Sequence, residues 1–512
     1  MTRAQRQGHL LPAGAHRRFA PERLVLVASI LGSFVAFLDV SVVNVALPAI
    51  SNNLGGGISA QQWIVDAYMV TLGSFILLAG SLSDLFGRKR VFVAGLIGFG
   101  ATSLLAAIAP SATILIIARA LQGATGALLV PSSLAIIIAT FSGPDQGKAI
   151  GTWTAWTGIA FIVGPLLGGA LVDVGSWRWV FAINVLPIAA TIGVLARIPS
   201  EPPPEEKSHV DLPGAILCAV GLGGMIFGLI EGPGHGWGAP SIYLPLAGGA
   251  AAFAAFILYE RRAPHPMLDF KLFATRNFAM GNAATAAIYA GLSAFTFVLT
   301  VYLQQVSGYK ATTSGLALLP VTLLMFFLSP ISGKLAGKHG PRWFMTFGPM
   351  IGAAGFLLML RIHAHADYFT EVLPGILVFG VGLAATVSPL TAAILGGIDQ
   401  RKAGIGSAIN NAIARVAGLL AVAAIGALVA ARFAAPVDAA VRDTHDPHAR
   451  AFLVAAKERP LVLAVPKELD ALRPVLEDAS VSALRASLWA MAGALIVGGL
   501  ISAAGIRNPK RQ

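Results

Sequence analysis

The side chains in this chain that could do chemistry are a few charged residues set inside long apolar runs. Asp39 lies in one such run, where an ionised carboxylate costs roughly 2.5–3.5 kcal/mol by insertion scales. It must therefore be compensated or hold a proton part of the time. A carboxyl group that alternates between dry and wetted surroundings changes its proton affinity and can carry a proton. A fixed hydrogen bond to Ser41, Asn44 or a neighbouring helix is the alternative. Asp66, four residues after Gln62, is a second candidate carrier, set against a solvated helix end. Arg119 is embedded too, and a guanidinium keeps its proton, so it needs a polar interior and a partner. Asp39 is the natural partner, with the proton and the arginine competing for its charge; a static tie to backbone carbonyls is the alternative. Arg415, beside Asn410 and Asn411, reads as a residue that snorkels or binds lipid headgroups. Glu231, before Gly232-Pro233-Gly234, reads as the turn of a hairpin or as a substrate contact.

The elements that must position these residues are membrane spans. Of 512 residues, 56% are hydrophobic and 12% charged, against roughly 45–50% and 25% in soluble domains. Apolar runs of about 20 residues, enough to cross a bilayer, recur about fourteen times. Six lie near 24–48, 62–82, 91–109, 113–138, 149–172 and 178–197, and two more near 212–230 and 241–259. The last six lie near 278–303, 314–333, 344–361, 373–396, 406–431 and 484–506. The expected organisation is a basic tail (1–23), a six-helix half (24–198), a linker with two inserted helices (199–277), a second six-helix half (278–506) with a long extracellular loop (432–485), and a tail (507–512). The fold class is thus an all-α polytopic membrane protein with fourteen transmembrane helices.

The net charge of +12 would suggest nucleic acid in a soluble protein, but here it reads as topology. With the basic tail inside, most of the 36 lysines and arginines fall on cytoplasmic loops, while the short outer loops keep only Arg178, Lys310 and Arg361. Both termini are then cytoplasmic and the chain is multi-pass in the inner (plasma) membrane. The single cysteine, Cys218, sits in an apolar run as a small buried residue.

An internal repeat follows from the loops. Gly80, Leu82, Gly87 and Lys89, between the second and third spans, recur at constant spacing as Gly333, Leu335, Gly340 and Arg342 in the second half. Parallel repeats of this kind are a recurring transporter plan with the substrate site between the halves. Gly337 stands where the first copy has Asp84, so symmetric gating is not expected.

Four segments carry a resemblance: Leu38-Asp39 through Asn44 to Pro48, the loop Gly80 to Arg90, Arg119-Ala-Leu-Gln122-Gly123, and Gly158 through Gly164-Pro165 to Gly168-Gly169. In this order and on these spans they resemble the major facilitator superfamily, specifically its fourteen-span drug/proton antiporter branch of quaternary-ammonium and multidrug exporters. The resemblance implies that Asp39 and Asp66 serve proton coupling or recognition of cations, with Arg119. It also implies that Gly80, Asp84, Gly87, Arg88 and Arg90 form a gating motif, Asp84 locking the inner gate. Gly158, Gly164, Pro165, Gly168 and Gly169 would form an antiporter motif, a flexible seam between the halves; generic tight packing is the alternative. Candidate substrate contacts are Asp39, Asn44, Asp66, Gln122 and Glu231.

The function expected is export of lipophilic, cationic compounds against protons by alternating access, with a dedicated exporter of one metabolite or lipid as the alternative. Spans nine to fourteen carry no interior Asp or Glu, so a cation finds acids only in the first half and at Glu231. No phosphate loop or nucleophile elbow supports an enzyme. The pair His445 and His448 lacks a third ligand, and no metal or cofactor is expected. The partners implied are a small lipophilic substrate, protons and membrane lipids around a monomer, with no nucleic acid.

Overall fold

A computed structural model describes residues 19–141, 145, 149, 152–153, 156–198, 211–264, 266, 268, 270–396, 398, 403–462 and 465–508, and among them there is no strand. Thirteen helical segments of these residues are long and apolar enough to cross a membrane. Helix α2 (Gly57–Phe86), 30 residues long, lies between the first and second of them. Together they give the passes expected from sequence.

The first half comprises α1 (Phe19–Leu54), α2, α3 (Arg88–Ala107), α4 (Ala112–Gly126), α5 (Leu129–Thr140), α6 (Ala160–Val174), α7 (Arg178–Ala182) and α8 (Val185–Leu195). The fourth and sixth passes are each broken by a turn, at Ala127-Leu128 and Ile183-Asn184. An inserted hairpin follows, α9 (Leu212–His235) and α10 (Pro240–Glu260). Asp211 caps α9 by accepting from the Gly214 amide at 2.9 Å, satisfying an N-terminal donor that the helix cannot. The second half comprises α11 (Arg276–Gln305), α12 (Ala311–Ala317), α13 (Leu319–His339), α14 (Arg342–Leu358), α15 (Leu373–Leu395), α16 (Ala403–Asp443), α17 (Pro447–Ala456) and α18 (Arg473–Gly505).

The two halves repeat one packing scheme. In the first, α1 packs on α6 and α8, and α4 on α2 and α3; in the second, α11 packs on α16 and α18, and α15 on α13 and α14. Even the short turns correspond. Gly87, between α2 and α3, has φ 93°, and Gly340, between α13 and α14, has φ 88°, a left-handed region that side chains disfavour.

One expectation needs correction. The segment 432–485 is not an open loop: α16 continues to Asp443, α17 follows, and α18 already begins at Arg473. Alanines at 434, 435, 439 and 440 favour helix, and Phe433, Val437 and Leu453 are fully buried, so this cap has an apolar core of its own. Asp446 caps α17 by accepting from the His448 amide, which gives the histidine-bearing turn a plain structural role.

The halves meet at the end of the bundle that carries the α1–α2 connection, called the top here. There Gln304 of α11 donates to Val45 O at 3.0 Å. Gln62 of α2 donates to Val422 O and Ala423 O of α16, and Asp173 accepts from the Ala311 and Thr312 amides at the start of α12. The hairpin lies along one of these seams, because α9 packs on both α2 and α16. Leu222, Ile226, Leu419 and Ala423 are the core of that junction.

Candidate functional site

Asp39 and Arg119 meet. The Arg119 Nη1 group lies 2.6 Å from Asp39 Oδ2, and both side chains are buried. The other carboxylate oxygen, Oδ1, accepts from the amides of Gln122 and Asn184, each at 2.9 Å. Gln122 follows Arg119 by three residues, so both project from one face of α4, and its Oε1 accepts from Arg119 at 2.6 Å. Ser103 of α3 accepts from both amides, and Arg119 Nε donates to Ile64 O of α2. The Tyr68 ring lies 4.2 Å from the guanidinium carbon and Phe181 lies 5.7 Å away, geometries suited to a cation over an aromatic face. Five passes thus converge on one buried ion pair.

Of the fixed partners foreseen for Asp39, a neighbouring helix is the one it uses, and Ser41 and Asn44 are not. Asn44 donates to Val40 O within its own helix. Asn184, Ser103 and Tyr68 were missed by sequence reasoning. The only signal was that each is polar within an apolar run, and many such residues merely bond their own helix.

Asp66 is fully buried, not solvated, and among the described residues neither of its carboxyl oxygens has a hydrogen-bond partner. It stands one turn below Gln62 and Trp63, on their side of α2. Gln62 is bonded to α16, and Trp63 Nε1 donates to Glu231 Oε1 of α9 at 2.8 Å. The acid therefore sits where the two halves and the hairpin meet. Glu231 also accepts from Ser59 at 3.0 Å, so it ties the hairpin to α2.

Only part of the glycine motif reaches the seam between the halves; Gly164 and Gly168 pack on α1 of their own half. A β-carbon at Gly168 would lie 3.0 Å from Val42 Cα of α1, and one at Gly164 would strike Ser41. One at Gly169 would strike the Thr312 backbone of the other half, while Pro165 lies against Gly315 there. Gly158 faces nothing within 4 Å among the described residues. Of the loop motif, Gly80 and Asp84 fall within α2, but the Asp84 side chain lies outside the described residues, as does whatever lock it makes. Lys89 donates to Ile198 O, Arg90 is exposed and Arg88 is half-buried.

The chain matches the family model described as Major Facilitator Superfamily over residues 29–422. It belongs to that superfamily.

Relatives of this superfamily member include the multidrug resistance protein Stp of Mycobacterium tuberculosis, 34% identical over 81% of this chain and 77% of that protein. The puromycin resistance protein pur8 of Streptomyces alboniger is 33% identical over 78% of this chain and 80% of its own. The tetracenomycin C resistance and export protein of Streptomyces glaucescens is 31% identical, covering 80% and 76%. Such relatives fit the drug antiporter type to which the motifs point. Among solved structures, a bacterial homolog of the human lysosomal transporter Spinster shares the fold, with TM-score 0.66 at 15% identity over 96% of this chain and 99% of that one. The protein is a multi-pass membrane transporter, not an enzyme.

Proposed function

We propose that this protein exports lipophilic compounds from the cytoplasm across the inner membrane in exchange for protons, by rocking its two halves about the seams just described. Its relatives are named for drug resistance and export. The observation that carries the coupling is the contrast between its two buried acids. Asp39 has both oxygens filled by Arg119, Gln122 and Asn184, whereas Asp66 has neither filled. An ionised carboxylate without partners is costly in such a place, so this conformation suits the neutral acid. Opening the top seam between α2 and α16 would wet Asp66 and let its proton exchange, and Asp39 with Arg119 would hold the helices that move.

Among the described residues, a lipophilic cation would meet acids beside the seam at Asp66 and Glu231. The chain is proposed to act as a monomer with both termini in the cytoplasm. The test uses everted vesicles bearing a pH gradient, to which a panel of lipophilic dyes and antibiotics is added while proton release is followed. Release with wild type that Asp66→Asn abolishes supports the reading. Full coupling in Asp39→Asn/Asp66→Asn, or no proton movement with any compound, overturns it.

A further inference from the structure

Arg415 belongs to α16. It lies roughly 18 Å along the helix from Ala403, far from either end. Val422, Leu419 and Arg415 are spaced by three and four residues and so share a face. Val422 accepts from Gln62 of α2, and that face therefore looks at the first half rather than at lipid. In keeping with this, the guanidinium lies within electrostatic reach of the Tyr68 hydroxyl, the same tyrosine whose ring covers Arg119. Arg119 is neutralised there by Asp39. Arg415 is not: it makes no hydrogen bond or ion pair among the described residues, and Asp66 on the facing helix does not pair with it. Its side chain is only half-buried, and Asn411, one turn below on the same face, is exposed. Along this face burial thus falls from Leu419 through Arg415 to Asn411.

An arginine at such depth needs a counter-charge, and its planar fork is suited to carboxylate and phosphate oxygens. We infer that Arg415, with Asn411 beside it, binds an anionic group on the transported compound, making the cargo a lipophilic acid, a zwitterion or an acidic lipid headgroup. This deepens the export reading and rests on it.

The test uses purified protein in phosphatidylcholine nanodiscs, titrated with dansyl-phenylalanine and its neutral amide, dansyl-phenylalaninamide, which differ in one carboxylate. Wild type is expected to bind the acid about tenfold more tightly than the amide. Arg415→Gln should bring the two within about twofold, and Arg415→Lys should keep part of the preference. Adding phosphatidylglycerol to the nanodiscs separates the sources: competition with the acid shows a lipid headgroup at the site, and no competition shows a free acid. Equal binding by wild type, or a preference that survives in Arg415→Gln, overturns the site. Drug extrusion by everted vesicles is measured in parallel, so that loss of the acid preference with extrusion intact sinks this inference alone. An intact preference without extrusion of any compound sinks the export reading.

Discussion

The two halves share a packing scheme and differ in what they do with charge. The first closes Asp39, Arg119, Gln122 and Asn184 into a network that leaves no carboxylate oxygen of Asp39 unfilled. The second has an amide cluster, Asn410 donating to Asn282 and Thr285, and an arginine deep in a span, Arg415, that makes no hydrogen bond or ion pair among the described residues. The duplicated scaffold thus closes Asp39 and Arg119 into a fixed pair in the first half, while Asp66 there and Arg415 in the second half stay outside any pair among the described residues. On the proposed reading the first half supplies rigidity and proton chemistry, and the second supplies recognition.

The sharpest way to break this comparison is to remove one arginine from each half. Arg119→Ala leaves Asp39 buried without its counter-ion and should cost about 3–5 kcal/mol, seen as a large fall in thermal unfolding temperature in detergent. Arg415→Gln should change stability by well under half of that, because it breaks no pair; equal losses would show that Arg415 has a structural partner after all. Next in size, Gly169→Val places a branched side chain on the Thr312 backbone across the seam and should lower dye extrusion by at least about tenfold with the protein still inserted, whereas Gly158→Val should be close to neutral. The matched turns come third. Gly87→Ala and Gly340→Ala both force a side chain into the left-handed region, at about 1–2 kcal/mol. The second should cost more, because its β-carbon would also strike Asn508 while that of Gly87 meets nothing. Smallest is Trp63→Phe, which removes one hydrogen bond to Glu231 and should weaken the hairpin's attachment by about 1 kcal/mol, measurable as faster hydrogen exchange at the top of α9.

The span order, the repeat and the Asp39–Arg119 partnership were legible in the sequence because each follows from the cost of putting charge or backbone into hydrocarbon. An embedded arginine and an embedded aspartate in one half leave little choice. What was not legible depends on helix rotation and tilt. Asn184 is neutral and marks nothing until a turn at Ile183-Asn184 brings it to Asp39. Arg415 was read as reaching for headgroups because the sequence shows depth but not the face it occupies. Nothing in the sequence around Asp173 marks it as the residue that caps α12 across the seam. The helical cap over 432–485 was hidden by its charges, since Arg432, Asp438 and Arg442 end a hydropathy run without ending a helix.

The placement of α9 has a mechanical consequence. A helix seated on both α2 and α16 cannot keep its register with each of them once the halves rock apart. Either its apolar surface peels from one side and is taken up by acyl chains, or the hairpin strains as it follows. The energy of that step belongs partly to the bilayer, so the cycle rate should vary with acyl-chain length and lateral tension whatever the cargo.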